Sequence, residues 1–377
     1  MPTDHQKRGG MADPATTGSS CAPNRGVYLL PTETVPGLAA QASGDSIQAL
    51  RGALQALATH KSADKYQTIT NYAEPPLTWH ASNPAEILRV IPDATPLTRR
   101  SIARLLPGPV TLAIELADAS LVSLRQHLGT AADDGRSLWV RVPDHAAAID
   151  FISTHGPILA RGVPLQIGDT PTLCTTVDQA RERLAAADIS FTQVPGPDGS
   201  GLPSTLVRLP LAGGFKVERT GALSADTIRN RLTLHILFVC TGNTCRSPMA
   251  EQIARHLAER SAAGSIPIET ASAGVTAAPG EPTSREALES LRRQGVDAHS
   301  AGARPLDATA IRWADEVYTM TASHLREAQR LGARSAQLLD PNGRDVPDPI
   351  GGTQRQYDDT AARIAQLVTA RLKESAK

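Results

Sequence analysis

One stretch, residues 232–255, constrains the chain most, because it prescribes a strand, a tight loop and a helix in immediate succession. Positions 234–239 are rich in large apolar and β-branched residues, and the run stops at Cys240. After a short turn, Pro248 opens an amphipathic segment, as proline often does at the start of a helix. The sequence therefore predicts a strand–loop–helix unit whose chemistry lies in the loop.

The loop reads CTGNTCR, with five residues between Cys240 and Arg246. A loop this short at a helix start turns successive backbone N–H groups into one concavity, which suits an anion such as phosphate. Arg246 can fork two N–H donors onto phosphate oxygens, while the loop amides and the helix dipole stabilise a thiolate at Cys240. Cys240 is thus a predicted nucleophile aimed at phosphorus. The residues predicted to bind the phosphate are Thr241, Gly242, Asn243, Thr244, Cys245 and Ser247.

Two members of the loop have further expected roles. Ser247 follows the arginine and is placed to donate its hydroxyl to the thiolate when sulfur leaves in a later hydrolysis step. Gly242 is expected to supply a backbone φ that side chains resist. A bare Cys-x5-Arg spacing recurs by chance, and its alternative is a buried cysteine ahead of an ordinary surface arginine. The preceding strand and the Ser-Pro helix start favour the chemical interpretation.

Phosphoryl transfer also needs a general acid, because the leaving group should not depart as a strong base. The candidates lie in the segment RDVPDPIGG at 344–352. Pro349 fixes the backbone after Asp348, and two following glycines mark a surface loop able to lean over a pocket. Asp345 lies in the same loop, so the residues alone leave two candidate acids.

Residues 234–377 resemble the low-molecular-weight protein tyrosine phosphatases. The resemblance implies a Rossmann-like three-layer α/β fold and a phosphocysteine intermediate, with no metal or cofactor for the phosphatase. It makes Cys240 the nucleophile, Arg246 the phosphate clamp and Asp348 the general acid, with Asn243 and Ser247 as loop supports. The motifs that carry it, in the family's order, are VCTGNTCRSPMAE at 239–251, SAG at 272–274, ADEVYTM at 314–320 and DPIGG at 348–352.

Residue 244 bears on the substrate. Tyrosine-directed members usually resemble CLGNICRS, with a bulky apolar residue at that position, whereas CTGNTCRS is similar to bacterial protein arginine phosphatases. Thr244 is smaller than isoleucine and carries a hydroxyl, so it suits a polar guanidinium better than a phenyl ring. Ile350 agrees, because tyrosine-directed relatives often have an aromatic residue after Asp-Pro. The leading prediction is hydrolysis of phosphoarginine in phosphorylated protein substrates, and the alternative is phosphotyrosine.

Two other functions fit parts of the loop. Arsenate reduction uses a related loop but needs further cysteines to resolve the arseno-adduct, and the chain has none after Cys245. A domain that merely binds phosphate for its neighbour would not need the nucleophile, clamp, hydroxyl and acid together. Hydrolysis therefore remains the leading prediction.

The composition places few demands on partners or compartment. The 377 residues exceed what one ordinary core holds, which predicts two domains. Basic and acidic residues balance at 38 each and aromatic residues are only 3%, so a nucleic-acid surface is not indicated. No stretch approaches the ~20 apolar residues of a membrane span. Residues 1–25 predict a disordered tail rather than a signal peptide, with Met1 or Met11 as initiator.

The four cysteines, Cys21, Cys174, Cys240 and Cys245, are too scattered for a disulfide scaffold, and none form a zinc-type pair. A reducing cytoplasm is therefore the expected location. Two interpretations of Cys245 stay open. It forms a reversible disulfide with Cys240 that protects the nucleophile, or it is a small packed loop residue.

The preceding part of the chain, residues 26–232, predicts a mixed α/β domain, with helices at 46–58, 96–106 and 177–187. It resembles the threonylcarbamoyl-AMP synthase (YrdC/Sua5-like) family. The resemblance implies a twisted open α/β sheet around a positively charged cavity, where members bind ATP, threonine and bicarbonate for a tRNA modification. Thr32 and Thr34 would lie in the cavity, with Ser204 and Thr205 near the nucleotide. The motifs that carry it are PTETVPGL at 31–38, LPGPVTL at 106–112, VRVPDH at 140–145, STLVRL at 204–209 and VERTGAL at 217–223.

This domain departs from that family at both phosphate-handling elements. Lys61 and Lys65 remain in HKSADKYQT, but Ala63 replaces the expected arginine, and lysine cannot reproduce a bidentate fork. A Ser-Ala-Asn element is replaced by ARGVPLQIG at 160–168, where Arg161 is a candidate to compensate. We therefore expect a degenerate nucleotide- or threonine-binding, regulatory or structural module. The alternative is an active synthase, and tRNA-modification partners are expected only in that case.

The junction between the domains lacks a flexible spacer. Ser224 is the predicted N-cap of a short helix that leads directly into the catalytic strand, so close coupling is expected. Asp315, in the ADEVYTM segment, is expected to support the phosphate loop. The predicted division is a tail at 1–25, a YrdC/Sua5-like domain at 26–232 and a phosphatase domain at 233–377.

Overall fold

The computed structural model describes residues 26–60, 76–128, 132–167, 170–260 and 266–375. The strands in these ranges are β1 (Val27–Leu30), β2 (Gly37–Gln41), β3 (Thr78–His80), β4 (Val110–Glu115), β5 (Ser137–Arg141), β6 (Ile158–Gly162), β7 (Pro164–Ile167), β8 (Thr170–Leu173), β9 (Thr192–Gln193), β10 (Thr205–Leu209), β11 (Lys216–Arg219), β12 (Leu234–Cys240), β13 (Ile268–Gly274), β14 (Glu316–Thr319) and β15 (Gln337–Leu338). The helices are α1 (Gly44–Thr59), α2 (Pro84–Val90), α3 (Pro96–Leu105), α4 (Asp118–Leu128), α5 (Ala146–His155), α6 (Val177–Ala186), α7 (Ala225–Leu232), α8 (Arg246–Glu259), α9 (Arg285–Arg293), α10 (Ala308–Trp313), α11 (Ala322–Arg330) and α12 (Gln354–Ser375).

The first domain is built on an open nine-stranded sheet in the order β11-β10-β4-β5-β3-β6-β2-β1-β9. Most neighbours pair antiparallel, whereas β4 with β10, β3 with β5 and β1 with β9 are parallel. Its larger core includes Leu50 and Leu54 of α1 and Trp79 of β3, all at most 1% exposed. A smaller core includes Phe151 and Ile152 of α5. The mixed α/β architecture predicted for this domain is confirmed.

The second domain is built on four parallel strands in the order β13-β12-β14-β15. The central strand β12 is buried on both faces from Ile236 onward, which explains the apolar run over 236–240. Ile236 and Phe238 belong to the core shared with α8, α9 and α12, whereas Leu237 and Val239 belong to the core shared with α10 and α11. Helices on both faces of a parallel sheet give the Rossmann-like three-layer fold that was expected.

The loop after β12 lies where the strand order reverses. From β12 the chain crosses to β13 on one side and later to β14 on the other. Ligands of open α/β sheets bind outside the carboxyl ends of the strands at such a switch point. The topology therefore places the CTGNTCR loop in the natural binding crevice of this domain.

The start of α8 differs from the sequence-based expectation. The helix begins at Arg246, two residues before Pro248. Arg246 and Ser247 therefore belong to its first turn, so the helix, and not a free loop, carries both side chains. The other helices described by the prediction agree more closely, since α6 spans Val177–Ala186 and Ser224 caps α7 by accepting from the Thr227 N–H at 3.1 Å. None of the helices in the described ranges has both the length and the apolar character to cross a membrane.

Helix α3 of the first domain docks on the second domain. Leu97 is 1% exposed and packs in the core of the second domain. Arg104 forms an ion pair with Asp315 and donates to the Thr233 carbonyl oxygen at 2.7 Å. Arg100 donates to the carbonyl oxygen of Ser375, at the end of α12, at 3.1 Å. The close coupling expected from the missing spacer is thus built mainly by one helix.

The prediction that Asp315 supports the phosphate loop is wrong. Asp315 precedes β14 at the amino end of that strand, whereas the loop follows the carboxyl end of the parallel neighbour β12. Its carboxylate accepts from the His235 N–H at 2.9 Å and pairs with Arg104. Asp315 therefore fixes the junction between the domains at the opposite edge of the sheet.

Candidate active site

Cys240 ends β12 with its thiol buried beside two polar groups. Its Sγ lies 2.9 Å from Ser247 Oγ, and the Asn243 N–H donates to it at 3.3 Å. A hydroxyl and an amide at these positions stabilise negative charge on sulfur. The structure therefore brings together the predicted nucleophile and its predicted hydroxyl partner.

The sharp turn of the loop is made by Asn243. Asn243 has a φ of 58°, in the left-handed region that asparagine tolerates. The φ of Gly242 lies outside that region. The expectation that Gly242 supplies the unusual φ is therefore wrong. The position that requires glycine is Gly274, at the end of β13, where a Cβ would come within 2.5 Å of the Thr241 carbonyl oxygen and 2.8 Å of the Asn243 nitrogen. Close packing of two backbones thus explains the glycine of the SAG motif.

The Asn243 side chain connects the loop to the neighbouring strand. Its Nδ2 donates to Ser247 Oγ at 2.9 Å and to Ser272 Oγ at 2.8 Å. Its Oδ1 accepts from the Arg304 N–H at 2.8 Å, and Ser272 donates to Glu251 at 2.6 Å. Glu251 was missed as a support, although it lies within the longest motif. The network holds the Ser247 hydroxyl toward sulfur.

The Arg246 guanidinium is 5% exposed and contacts three protein acceptors among the described residues. Its Nη1 donates to the Val346 carbonyl oxygen at 3.3 Å, and its Nη2 donates to Thr241 Oγ1 at 3.2 Å and pairs with Asp348. Its Nε has no hydrogen-bond partner among the described residues. Because buried polar groups are normally paired, an open guanidinium nitrogen beside the loop indicates a place for an anion's oxygen.

The two candidate acids have different environments. Asp348 is 38% exposed and contacts Arg246 at the mouth of the loop. Asp345 instead accepts from the Ala322 N–H at 2.9 Å, where it caps the start of α11. Only Asp348 of the two therefore contacts the phosphate clamp.

Thr244 and Cys245 lie on the side of the loop toward α9 and α12. The Thr244 carbonyl oxygen accepts from the Ser284 N–H at 2.9 Å. The Cys245 sulfur is buried, 3.4 Å from Ser284 Oγ and 3.5 Å from the Tyr357 hydroxyl. Burial and the Cys245 thiol raise the pKa of Tyr357 to about 12, so the phenol stays protonated at neutral pH. The Cys245 thiol thus contacts different groups from Cys240, and the disulfide between them stays a prediction.

His324 is a polar neighbour of the loop that the sequence did not reveal. It lies in the first turn of α11, with Nε2 2.9 Å from Thr241 Oγ1 and Nδ1 2.9 Å from Thr321 Oγ1. Burial and the nearby Arg246 guanidinium lower the pKa of His324 to about 4, so the imidazole is neutral at neutral pH. No local pattern could have found it, because some eighty residues separate it from Thr241.

The first domain contains a cavity of ≈ 170 Å³ lined by Arg141, Arg161 and Arg219 together with His80. Arg141 pairs with Glu33 at 2.8 Å. Burial and the Arg141 charge lower the pKa of His80 to about 4, so the positive charge of the cavity comes from the guanidinium groups. A cavity with this lining suits an anionic ligand.

Two of the four hydroxyl residues predicted for this cavity line it, namely Thr32 and Ser204. Thr34 and Thr205 are not among the residues that line it. Thr34 Oγ1 is 3.0 Å from Thr32 Oγ1, and Thr205 donates to the Leu223 carbonyl oxygen at 2.6 Å. The predicted ligand-binding roles of Thr32, Thr34, Ser204 and Thr205 stay predictions. The predicted features that lie outside the described residues are Lys61, Lys65, Ala63, Cys21 and the tail at 1–25.

A thiol beside an anion-binding loop, at the switch point of a parallel α/β sheet, is typical of cysteine-dependent phosphatases. Each domain matches the model of a known protein family. The family model described as low molecular weight phosphotyrosine protein phosphatase matches residues 235–377, and the Sua5/YciO/YrdC model, described as telomere recombination, matches residues 24–221. The chain belongs to the low molecular weight phosphotyrosine protein phosphatase family in its second domain and to the Sua5/YciO/YrdC family in its first. It is a hydrolase.

Relatives of the second domain are named either as protein arginine phosphatases or as protein tyrosine phosphatases. A protein-arginine-phosphatase of Bacillus subtilis (strain 168) is 32% identical over 152 residues, which cover 38% of this chain and 98% of the relative. A protein-arginine-phosphatase of Geobacillus stearothermophilus is 36% identical over 140 residues, which cover 35% and 90%. The low molecular weight protein-tyrosine-phosphatase PtpB of Staphylococcus epidermidis (strain RP62A) is 33% identical over 142 residues, which cover 36% and 94%. Overall identity therefore does not separate the two substrates.

Proposed function

We propose that the second domain hydrolyses phosphorylated protein side chains through a phosphocysteine intermediate. The Cys240 thiolate attacks phosphorus, the bond from phosphorus to the leaving nitrogen or oxygen breaks, and protonated Asp348 gives its proton to the leaving atom. Water then attacks the phosphocysteine and passes a proton to Asp348, and the sulfur–phosphorus bond breaks to regenerate the thiolate. The observation that carries this proposal is the Cys240–Ser247 contact of 2.9 Å beside the buried Arg246.

The Arg246–Asp348 ion pair suggests an order of events. The carboxylate contacts the same Nη2 that a phosphate oxygen would use. A phosphate can accept two parallel hydrogen bonds from the guanidinium, including one from the open Nε, so it competes well for this group. Substrate binding then releases Asp348, which the loop after Pro347 carries toward the leaving group. In this order of events, phosphate binding to Arg246 frees Asp348 to act as the general acid.

Substitutions within the site test this mechanism. Cys240→Ser should abolish turnover, because serine is a far weaker nucleophile here. Asp348→Asn should lower kcat by about 10²- to 10⁴-fold, since it removes the general acid. Asp345→Asn is the matched control, because it alters a carboxylate in the same loop that caps α11. Appreciable turnover by Cys240→Ser, or equal losses in the two aspartate variants, would contradict the assignment.

Phosphoarginine is the substrate that we propose for this site. Thr244 supports it, because its hydroxyl and small size suit a guanidinium better than a phenyl ring. The names of the B. subtilis and G. stearothermophilus relatives agree. Phosphotyrosine is the second candidate, favoured by the PtpB name of a comparably similar relative. In the reducing cytoplasm proposed for this chain, the Cys240 thiol would remain available for either substrate.

The substrate proposal is tested by the ratio of kcat/KM on a phosphoarginine peptide to that on a phosphotyrosine peptide. The wild-type ratio should favour phosphoarginine, and Thr244→Ile should shift it toward phosphotyrosine. Ile350→Phe is a comparison variant, because it adds the aromatic residue that tyrosine-directed relatives often carry. A wild type that strongly prefers phosphotyrosine, with a ratio unchanged by Thr244→Ile, would overturn the proposal.

We infer that the first domain is a degenerate nucleotide- or threonine-binding module that regulates or presents the phosphatase. The three arginines of its cavity support an anionic ligand. An active synthase is the alternative, and tRNA-modification partners follow only from that. Isothermal titration of the intact chain with ATP and with threonine tests the inference, with Arg141→Ala as the cavity variant. Binding without synthesis of an adenylate supports the module, whereas adenylate formation supports the synthase.

A further inference from the structure

The hydrogen bonds of Arg246 continue past the loop to a histidine that the proposed chemistry does not use. Arg246 Nη2 donates to Thr241 Oγ1 at 3.2 Å, and the same oxygen lies 2.9 Å from His324 Nε2. We propose that His324 is a positioning residue, which acts through Thr241 to hold the Arg246 guanidinium in its phosphate-binding orientation. This inference rests on the proposed function, because it concerns the same phosphate clamp.

The ring of His324 is held at both nitrogens. Nδ1 lies 2.9 Å from the hydroxyl of Thr321, which is the N-cap of α11. Thr241 Oγ1 has one hydrogen and two lone pairs, so it can accept from Arg246 and still form a hydrogen bond with Nε2. The Thr321 and Thr241 hydroxyls therefore fix the ring, and the ring fixes the rotamer of Thr241. An apolar residue at position 241 could not form either hydrogen bond.

Arg246 needs this support when substrate binds. Its described protein acceptors are the Val346 carbonyl oxygen, Thr241 Oγ1 and Asp348. In the proposed mechanism Asp348 leaves to protonate the leaving group. Val346 and Thr241 then remain to orient the guanidinium, and the contact to Val346 is long, at 3.3 Å. The position of Thr241 therefore determines how Nε and Nη2 meet the phosphate oxygens.

The charge of the histidine is consistent with this role. The charged groups that face it are Arg246, Asp348 and Asp345. Burial and the Arg246 guanidinium keep the ring neutral at neutral pH. A neutral ring supports the Thr241 hydroxyl without placing a second cation beside the clamp. A permanently positive side chain at this position would repel Arg246 at short range.

A double-mutant cycle on the intact chain tests the inference, with inorganic phosphate as the probe in isothermal titration calorimetry. His324→Ala and Thr241→Val should each weaken phosphate binding by roughly 3- to 10-fold, the equivalent of one neutral hydrogen bond. The double variant should bind as weakly as one single variant, since both changes break the same chain of contacts. His324→Asn should retain affinity within about 3-fold, because an amide can still bond to Thr241. His256→Ala, in the last turn of α8, is the histidine-removal control.

The cycle separates positioning from a merely structural role. If His324 only stabilised the start of α11, the fold-losses of phosphate affinity in the two single variants would multiply in the double variant. That result would overturn the inference. Unchanged affinity in a folded His324→Ala chain, or an absence of phosphate binding by the wild type, would also overturn it. A chain that shows the expected cycle but hydrolyses no phosphorylated substrate would contradict the proposed function alone.

Discussion

At the scale of single residues, two buried histidines, His80 and His324, make the free energy of unfolding depend on pH. Burial is the main cause that lowers the pKa of His80 and of His324 to about 4 from the ordinary 6.5, and Arg141 and Arg246 respectively add to it. Between these values the unfolded chain binds more protons than the folded chain, so stability rises with pH. The stabilisation is complete above about pH 6.5 and is lost as the pH falls toward about 4.

Urea unfolding at a series of pH values measures this effect. The midpoint should fall between pH 6.5 and 4, and the fall should be smaller in His324→Asn, which has no ring to protonate. His256→Asn should behave like the wild type. A midpoint that does not change over this range, or an equal slope in all three chains, would contradict the assignment.

The site residues differ in how far the sequence could reach them. Cys240 and Arg246 flank one short loop, so the chain itself places both beside it, and in the structure each forms a hydrogen bond with a loop residue. Asp348 lies about a hundred residues further on, and only a family resemblance selected it over Asp345. His324 had no local signal at all, because its contact with Thr241 exists only through the parallel pairing of β12 and β14. The catalytic roles remain predictions.

At the scale of the elements, the packing of β13 against the phosphate loop should be sensitive to a single methyl group. Gly274→Ala would place a Cβ 2.5 Å from the Thr241 carbonyl oxygen, and the loop backbone would have to move. We expect Gly274→Ala to weaken phosphate binding by at least ~10-fold, since the loop amides would lose their common orientation. The affinity for inorganic phosphate measures the change.

The control is Gly242→Ala in the loop itself. Its new Cβ would meet only Thr244 Oγ1, at an ordinary 3.5 Å, and its φ is not in the left-handed region. Phosphate affinity should therefore change little. A larger loss in Gly242→Ala than in Gly274→Ala would restore the sequence-based interpretation of Gly242, which assumed that the loop's glycine makes the turn.

The elements themselves were largely predictable, because their apolar periods and caps are local. Ser224 caps α7 as expected. The start of α8 was missed by two residues, since Pro248 looks like a first helical residue although Arg246 and Ser247 already belong to the helix. When the start of a helix binds an anion, its first turn carries functional residues such as Arg246 and Ser247. Sequence rules look for a cap at these positions, so the sequence pattern does not mark where the helix begins.

At the scale of the whole molecule, α3 makes the two domains mechanically dependent on each other. Leu97 packs in the core of the second domain, while Leu105 of the same helix packs in the core of the first. Leu97→Ala should destabilise the chain by about 2–5 kcal/mol and separate its thermal unfolding into two transitions. Leu105→Ala should lower stability without uncoupling the domains.

Differential scanning calorimetry distinguishes these outcomes. Arg104→Ala should act in the same direction as Leu97→Ala, because it removes the ion pair with Asp315. Two independent transitions already present in the wild type would show that α3 does not couple the domains. The sequence predicted close coupling but not the residues that form it, because Arg104 and Asp315 are some two hundred residues apart in the chain.

The proposed mechanism requires that Cys240 takes the phosphoryl group in the course of hydrolysis. Intact-mass spectrometry after rapid denaturation, on Asp348→Asn mixed with phosphoarginine peptide, tests it most directly. Loss of the base that activates water slows hydrolysis of the phosphocysteine, so the intermediate accumulates. We expect one added phosphoryl group, mapped to Cys240 by peptide sequencing and absent from Cys240→Ala, which has no nucleophile at this position. Turnover without any adduct on Cys240, or a phosphoryl group mapped to another residue, would contradict it.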